Sequence, residues 1–196
     1  MSKVVEFFFD VGSPTAYLAW TQLPALCAQA GATLVYRPML LGGVFQATGN
    51  SSPVTVAAKG RYMNDDMARF AKRYGVPLAI NPYFPVNTLT LMRGAAGVQL
   101  RMPARFGDYL RAVFQAMLVD ALNLNDPAVT ALALRAAGFD PAEVLALAAD
   151  ADVKAALRAT TEEAVARGVF GAPTMFVDGV LFFGQDRLDF VRAALG

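Results

Sequence analysis

Residues 4–9 read VVEFFF, apolar at every position but one. A run that is apolar on both faces suits a strand in the middle of a sheet. The spacing then changes to a helical one from Pro14 to about Ala30, with Tyr17, Leu18, Leu23, Leu26 and Cys27 on the expected inner face. Pro24 lies inside this helix and is a candidate kink. Ala32–Arg37 reads as a second strand, so the chain opens as βαβ with its first two strands parallel.

After Met39-Leu40-Leu41-Gly42-Gly43 the texture changes. Residues 43–55 are rich in Gly, Asn, Ser and Thr and read as a loop. From Val56 to Gly168 the periodicity is helical, with helices expected near 56–74, 88–101, 104–120, 127–137, 141–149 and 152–167. Asp126-Pro127 and Asp140-Pro141 each place a cap before a first-turn proline, and Gly75, Gly138 and Gly168 mark ends. Strand signals return only at Thr174–Val177 and Val180–Phe183, joined by the hairpin pair Asp178-Gly179, and a final helix is expected from about Asp186. The order is βαβ, helices, then ββα. The simplest architecture is α/β: a discontinuous domain of residues 1–42 and 169–196, interrupted by an all-helical insertion at 43–168.

Composition narrows the function. Of 196 residues, 56% are apolar and 17% charged, which suits a large core plus a buried oligomer interface or an apolar substrate cavity. The longest apolar stretches are broken before the roughly 20 residues needed to span a membrane. A net charge of +1, with no long run of one sign, argues against a nucleic-acid partner. There is one cysteine, Cys27, and no histidine. That excludes an internal disulfide, Ser-His-Asp and Cys-His catalysis, and the commonest zinc ligand, so no metal site is expected. The segment MSKVVEFFFD has neither a basic n-region nor a small-residue cleavage site, and the default location is the cytoplasm.

The candidate chemistry sits at two turns. Ser13 follows the first strand directly and opens a helix whose N-terminus favours a bound anion. Its plain explanation is an N-cap ahead of Pro14, and local pattern alone does not separate the two. Ala172-Pro173 precedes the third strand. With a cis bond, residue 172 turns its N–H and C=O outward to an extended peptide-like ligand; otherwise it is simply a rigid turn. Gly184-Gln185-Asp186-Arg187 opens the last helix, with Asp186 either its cap or a partner for an ammonium group, and with backbone N–H groups for a carboxylate. Asn50 is by itself a loop or capping residue, and Lys59, Arg61 and Arg69 suit a solvated helix face. Asn81-Pro82-Tyr83-Phe84-Pro85 is a rigid aromatic loop, either a lid on the core or a wall of an apolar pocket. Cys27 sits at core spacing.

In this order and spacing, FFFDVGSPTAYLAW, RPMLLGGVFQATGN, INPYFPVNTLTLMR, GVFGAPTMFVDG and LFFGQDRLDFV resemble the 2-hydroxychromene-2-carboxylate isomerase family. That group is close to the kappa-class glutathione transferases, within the DsbA-like branch of thioredoxin folds. The resemblance covers nearly the whole chain. It implies a thioredoxin-like α/β fold with a large helical insertion, a homodimer, and glutathione as cofactor. Ser13 falls at the family's catalytic serine, whose hydroxyl contacts the glutathione sulfur, in a turn where thioredoxin-like redox proteins carry a cysteine pair. Ala172 falls before the family's cis-proline, here Pro173, and pairs with the cysteinyl backbone. Gly184, Gln185, Asp186 and Arg187 fall in the segment holding the γ-glutamyl end. Asn50 matches a loop asparagine near glutathione and substrate, with Ser51 beside it, and Asn81, Pro82 and Tyr83 lie at the substrate wall. The family's loop has lysine, tied to the substrate carboxylate, where this chain has Gln46, which leaves the substrate open.

The implied reaction interconverts 2-hydroxychromene-2-carboxylate and trans-o-hydroxybenzylidenepyruvate, a step of aromatic catabolism. A free thiol has a pKa of about 8.5; the helix N-terminus and Ser13 would favour its thiolate, with no histidine needed. The thiolate adds to the conjugated carbon, the former double bond rotates, and elimination returns glutathione. Two other readings stand beside this one: a kappa-like transferase that consumes the thiol on another electrophile, and a non-catalytic carrier of apolar ligands.

Overall fold

A computed structural model describes residues 3–196; Met1 and Ser2, the start of the segment read above as lacking a leader, lie outside the described residues. Strand β1 (Val4–Phe9) is central in a four-stranded sheet of order β2-β1-β3-β4. It pairs in parallel with β2 (Thr33–Pro38) and antiparallel with β3 (Thr174–Val177), which pairs antiparallel with the edge strand β4 (Val180–Phe183). Residues 178 and 179 both take positive φ at the hairpin, as the Asp-Gly pair predicts.

The unbroken apolar run of β1 is explained by packing on both faces. Val5, Phe7 and Phe9 belong to the main core, beneath helix α1 (Pro14–Gln29) and helix α5 (Phe106–Leu118). Phe8 belongs to a smaller cluster with Met39, Val44, Ala164, Val169 and Phe176. All the inner-face residues expected on α1 are buried, and the helix continues through Pro24. Glu6, the polar residue in the strand, faces helix α8 (Ala151–Ala166) and the loop after it, where Arg167 contacts it through both terminal nitrogens at 2.8 and 2.7 Å. Arg37 and Glu163 complete the network, and the Arg167 guanidinium lies 3.9 Å from the Phe176 ring centre.

Between β2 and β3 run α2 (Leu41–Thr48), α3 (Ala57–Tyr74), α4 (Leu89–Arg101), α5, α6 (Pro127–Ala136), α7 (Pro141–Ala149) and α8; α9 (Leu188–Leu195) closes the chain. Asp126 and Asp140 cap α6 and α7 through Ala128 N–H and Ala142 N–H. Two expectations are corrected. Residues 43–55 are not a loop throughout: Leu41–Thr48 is helical and Pro53–Thr55 forms a 3-10 turn. The helix has no local side-chain cap; its first N–H, on Leu41, donates instead to the Asp10 carboxylate at 2.9 Å. A cap supplied from another strand leaves no trace in the local pattern. The final helix begins at Leu188 after a 3-10 turn over Gln185–Arg187, and Asp186 makes no side-chain cap there. Among the described residues no helix is long and apolar enough to cross a membrane, and no cluster of His, Cys, Asp or Glu is placed to hold a metal ion.

Candidate active site

Four residues carry the chain from the end of β1 into α1. Asp10, 1% exposed, accepts Gly12 N–H on Oδ1 at 2.9 Å, and Leu41 N–H and the Thr88 hydroxyl on Oδ2 at 2.9 and 3.0 Å. Its carbonyl accepts Ser13 N–H at 3.0 Å. One buried carboxyl thereby ties together the starts of α1, α2 and α4. Burial raises its pKa, while these donors pull it down by less. Gly12 is required by close approach: a Cβ there would stand 2.7 Å from the Thr88 methyl. Val11 N–H donates to the Met92 sulfur at 3.3 Å, fixing the other side of the turn.

Ser13 is an N-cap that also reaches the second turn. Its Oγ accepts Ala16 N–H at 3.1 Å in the first turn of α1. The same oxygen lies 3.0 Å from Thr15 Oγ1 and 3.2 Å from the carbonyl oxygen of Ala172. Thr15 Oγ1 lies 3.1 Å from that carbonyl as well. The Ala172–Pro173 peptide bond is cis. The two turns 159 residues apart in sequence therefore meet through side-chain hydroxyls at the positive end of α1. The Ala172 N–H has no hydrogen-bond partner among the described residues.

Gly184 adjoins these turns, its N–H donating to the Pro173 carbonyl at 3.0 Å and its φ of 101° favouring glycine. The Asp186 carboxylate is paired with Arg187, so an ammonium ligand would share it with that guanidinium. Gln185 is 4% exposed, and its Oε1 and carbonyl accept the Tyr74 hydroxyl at 2.7 and 3.1 Å. The side chain of Gln185 thus anchors this segment to the end of α3; burial raises the Tyr74 pKa, with Asp186 and Asp189 adding to the rise.

Asn50 is exposed and donates to the carbonyl of Phe170 at 2.7 Å, while its Oδ1 takes Ser51 N–H. This brings the end of α2 to the segment before Ala172. Gln46 and Ser51 are exposed on the same stretch. Asn81 behaves differently. It is 7% exposed, donates to the carbonyls of Met117 and Leu122, and accepts Tyr83 N–H. Its side chain is spent on holding the loop against the end of α5, leaving exposed Pro82, Tyr83 and Phe84 to face solvent. No hydrogen bond joins this loop to Ser13 or Ala172 among the described residues. A groove of about 560 Å³ between α5 and α6, floored by Ala112, Ala116 and Ala133, holds none of the expected site residues. Lys59, Arg61 and Arg69 are exposed on α3.

Asp10, Thr15, Thr88 and Tyr74 were missed by the sequence reading. An acidic residue ending an apolar strand just before the turn was a usable signal for Asp10, and a second hydroxyl two residues after Ser13 for Thr15. Nothing local marks Thr88 or Tyr74, whose partners lie 78 and 111 residues away.

Residues 4–196 match the model of the DSBA-like thioredoxin domain. A 2-hydroxychromene-2-carboxylate isomerase of Sphingobium xenophagum is 30% identical over 197 residues, covering 100% of this chain and 99% of its own. Glutathione S-transferase kappa 2 of Caenorhabditis elegans is 30% identical, over 95% of this chain and 88% of its own. Among solved structures, that of a 2-hydroxychromene-2-carboxylate isomerase superposes with a TM-score of 0.84 at 28% identity, covering 98% of this chain and 94% of its own.

Proposed function

The chain belongs to the DSBA-like thioredoxin family, with the 2-hydroxychromene-2-carboxylate isomerases and kappa-class transferases as relatives along its whole length, and from that premise we propose that it is a glutathione-dependent isomerase acting on a 2-hydroxychromene-2-carboxylate-type substrate. The observation that carries the reading is the Ser13 hydroxyl at the N-terminus of α1, 3.2 Å from the carbonyl of Ala172. A hydroxyl in this place can donate to a thiolate, whereas a cysteine would compete with it.

The residues present fit glutathione, an extended peptide bearing a thiol. Ala172 offers an unpaired N–H and a carbonyl held only by rotatable hydroxyls, which suits pairing with a cysteinyl backbone. Within Gly184–Arg187 the Gly184 and Arg187 N–H groups are used inside the fold, so those of Gln185 and Asp186 suit the γ-glutamyl carboxylate, with Asp186 for its ammonium group. Asn50 supplies an amide beside Phe170. When bound, glutathione supplies a thiolate nucleophile for reversible addition to a conjugated carbon.

The chain's own part is electrostatic. The α1 N-terminus and the Ser13 hydroxyl favour negative charge at the sulfur, and no side chain has to remove a proton from carbon. In this reading the helical insertion at 43–168 shelters an aromatic substrate, with Gln46, Ser51, Pro82 and Tyr83 on its rim and Asn81 holding that rim in place. The same reading takes the protein as a cytoplasmic homodimer, supported by its lone cysteine and high apolar content.

The test follows the absorbance of 2-hydroxychromene-2-carboxylate with purified protein, with and without glutathione. Approach to equilibrium with the benzylidenepyruvate isomer, only with glutathione and with none consumed, is the expected result; no conversion removes this substrate. Exposed, uncharged Gln46 favours a second reading, a kappa-like transferase acting on an electrophile without that carboxylate. Stoichiometric loss of glutathione would mark it.

A further inference from the structure

Ser13 Oγ, Thr15 Oγ1 and the Ala172 carbonyl oxygen form a triangle with sides of 3.0, 3.1 and 3.2 Å. Two hydroxyls carry two hydrogens, so the three sides cannot all be filled at once. The sides are also long for O–H···O bonds, whose usual separation is about 2.7–2.8 Å, as expected where hydrogens are shared. Ser13 Oγ already accepts Ala16 N–H at 3.1 Å. One of its two lone pairs is therefore committed to the helix, and its hydrogen is free to turn. No charged side chain is hydrogen-bonded to either hydroxyl among the described residues; the nearest buried carboxyl, Asp10, is engaged by Gly12, Leu41 and Thr88.

If Ser13 alone held the Ala172 carbonyl, turning its hydrogen to a ligand sulfur would leave that half-buried acceptor with the ligand backbone as its one partner and a lone pair unfilled. Thr15 removes this cost, because its own hydrogen can stay on the carbonyl throughout. We propose that Thr15 is a positioning residue for Ser13: it keeps the Ala172 carbonyl paired, so that the Ser13 hydrogen is free to be given to the thiolate of a bound thiol peptide. The inference rests on the glutathione reading above and adds to it a second hydroxyl with a separate task. The carbonyl has two lone pairs, so one remains for a donor on the ligand backbone while Thr15 keeps the other.

The experiment titrates the thiolate absorbance of bound glutathione against pH, beside binding calorimetry and turnover. Thr15→Val should raise the bound thiol pKa by about 0.5–1 unit, the scale of one neutral hydrogen bond. It should lower kcat about 3- to 10-fold with little change in binding. Thr15→Ser should restore both. In a Ser13→Ala background Thr15→Val should have no further effect on the thiol pKa. If Thr15→Val fails to fold, Thr15→Ala replaces it.

An unchanged thiol pKa in Thr15→Val overturns the proposal. So does the same shift in the Ser13→Ala background, since Thr15 would then act on the sulfur directly or on structure alone. Failure of Thr15→Ser to restore the wild-type values overturns it too. Absence of a bound thiolate in the wild type overturns the glutathione reading and this inference together; a wild-type thiolate with an unaffected Thr15→Val overturns this inference alone.

Discussion

Replacing Asp10 tests the junction from which the site is built. Asp10→Ala removes the acceptor of two partly buried backbone donors, Gly12 N–H and Leu41 N–H, each at 2.9 Å. The Thr88 hydroxyl, 3.0 Å away, can rotate to another acceptor and is left out of the sum. Each stranded donor costs about 1–3 kcal/mol, so the variant should lose about 2–6 kcal/mol. That is a large share of the roughly 5–15 kcal/mol a folded domain has in all. Asp10→Asn keeps one acceptor oxygen and should lose about 1–3 kcal/mol, because its amide must face at least one donor. Helix α2 should show the loss first. It contains Gly42 and Gly43, each costing about 1 kcal/mol relative to alanine in a helix interior, and has no local cap. Urea unfolding gives the stability, and amide hydrogen exchange over Val44–Thr48 reports on α2. Burial raises the Asp10 pKa, so between its unfolded and folded values the native state binds more protons than the unfolded state. Its contribution therefore declines as pH rises through that window, and the gap between wild type and Asp10→Asn should narrow from acid toward neutral pH. An Asp10→Ala protein within 1 kcal/mol of wild type, with α2 exchange unaltered, would falsify the role of this carboxyl as a shared cap.

Ser13→Ala should lose about 1 kcal/mol of stability through the missing cap, and turnover should fall about 10- to 150-fold if a charge-assisted bond of about 1.5–3 kcal/mol is lost. Equal turnover with intact folding would remove Ser13 from the chemistry. Glu6→Gln should cost about 1 kcal/mol at neutral pH, typical of a partly exposed ion pair. The Arg167 contacts hold the Glu6 pKa below its ordinary value, so its contribution is full above the unfolded pKa and is lost as pH falls through the folded one. The difference from wild type in urea midpoints should accordingly vanish in acid, and a difference that grows there would contradict the assignment. Gly94→Ala should destabilise by about 1–3 kcal/mol through overpacking, because its Cβ would collide with the Tyr109 hydroxyl, which is buried and donates to the Leu91 carbonyl at 2.8 Å. Adding Tyr109→Phe should recover part of that loss in thermal unfolding; strictly additive costs would place the strain elsewhere.

Much of the fold was legible because its signals are local. The apolar run at 4–9, the Asp-Pro helix starts at 126 and 140 and the Asp178-Gly179 hairpin each depend on residues within a few positions, and each forms as expected. Helix α2 is not legible in the sequence because Gly42 and Gly43 dominate its local pattern, while its cap comes from Asp10, 31 residues earlier. The start of α9 slipped by two residues because Asp186 pairs with Arg187 rather than capping the helix.

The candidate site divides in the same way. That Ser13 opens a helix directly after a buried strand follows from six apolar-patterned residues, a turn glycine and a proline, all neighbours in the chain. Its capping bond to Ala16 N–H is equally local. The meeting of Ser13 with Ala172 and the cis bond at Pro173 have no local signal and were expected from the family resemblance alone, while the contact of Thr15 with Ala172 and the anchoring of Gln185 by Tyr74 were decided only by the tertiary structure. So was the difference between Asn50, exposed beside Phe170, and Asn81, buried and fully engaged, since both read alike as loop asparagines. Secondary structure arises from backbone geometry and side-chain periodicity over one or two turns, which a linear pattern records. Which hydroxyl faces which carbonyl depends on how β1 and β3 pair and on what α1 and α3 pack against, and the burial that sets those contacts is a property of the whole core.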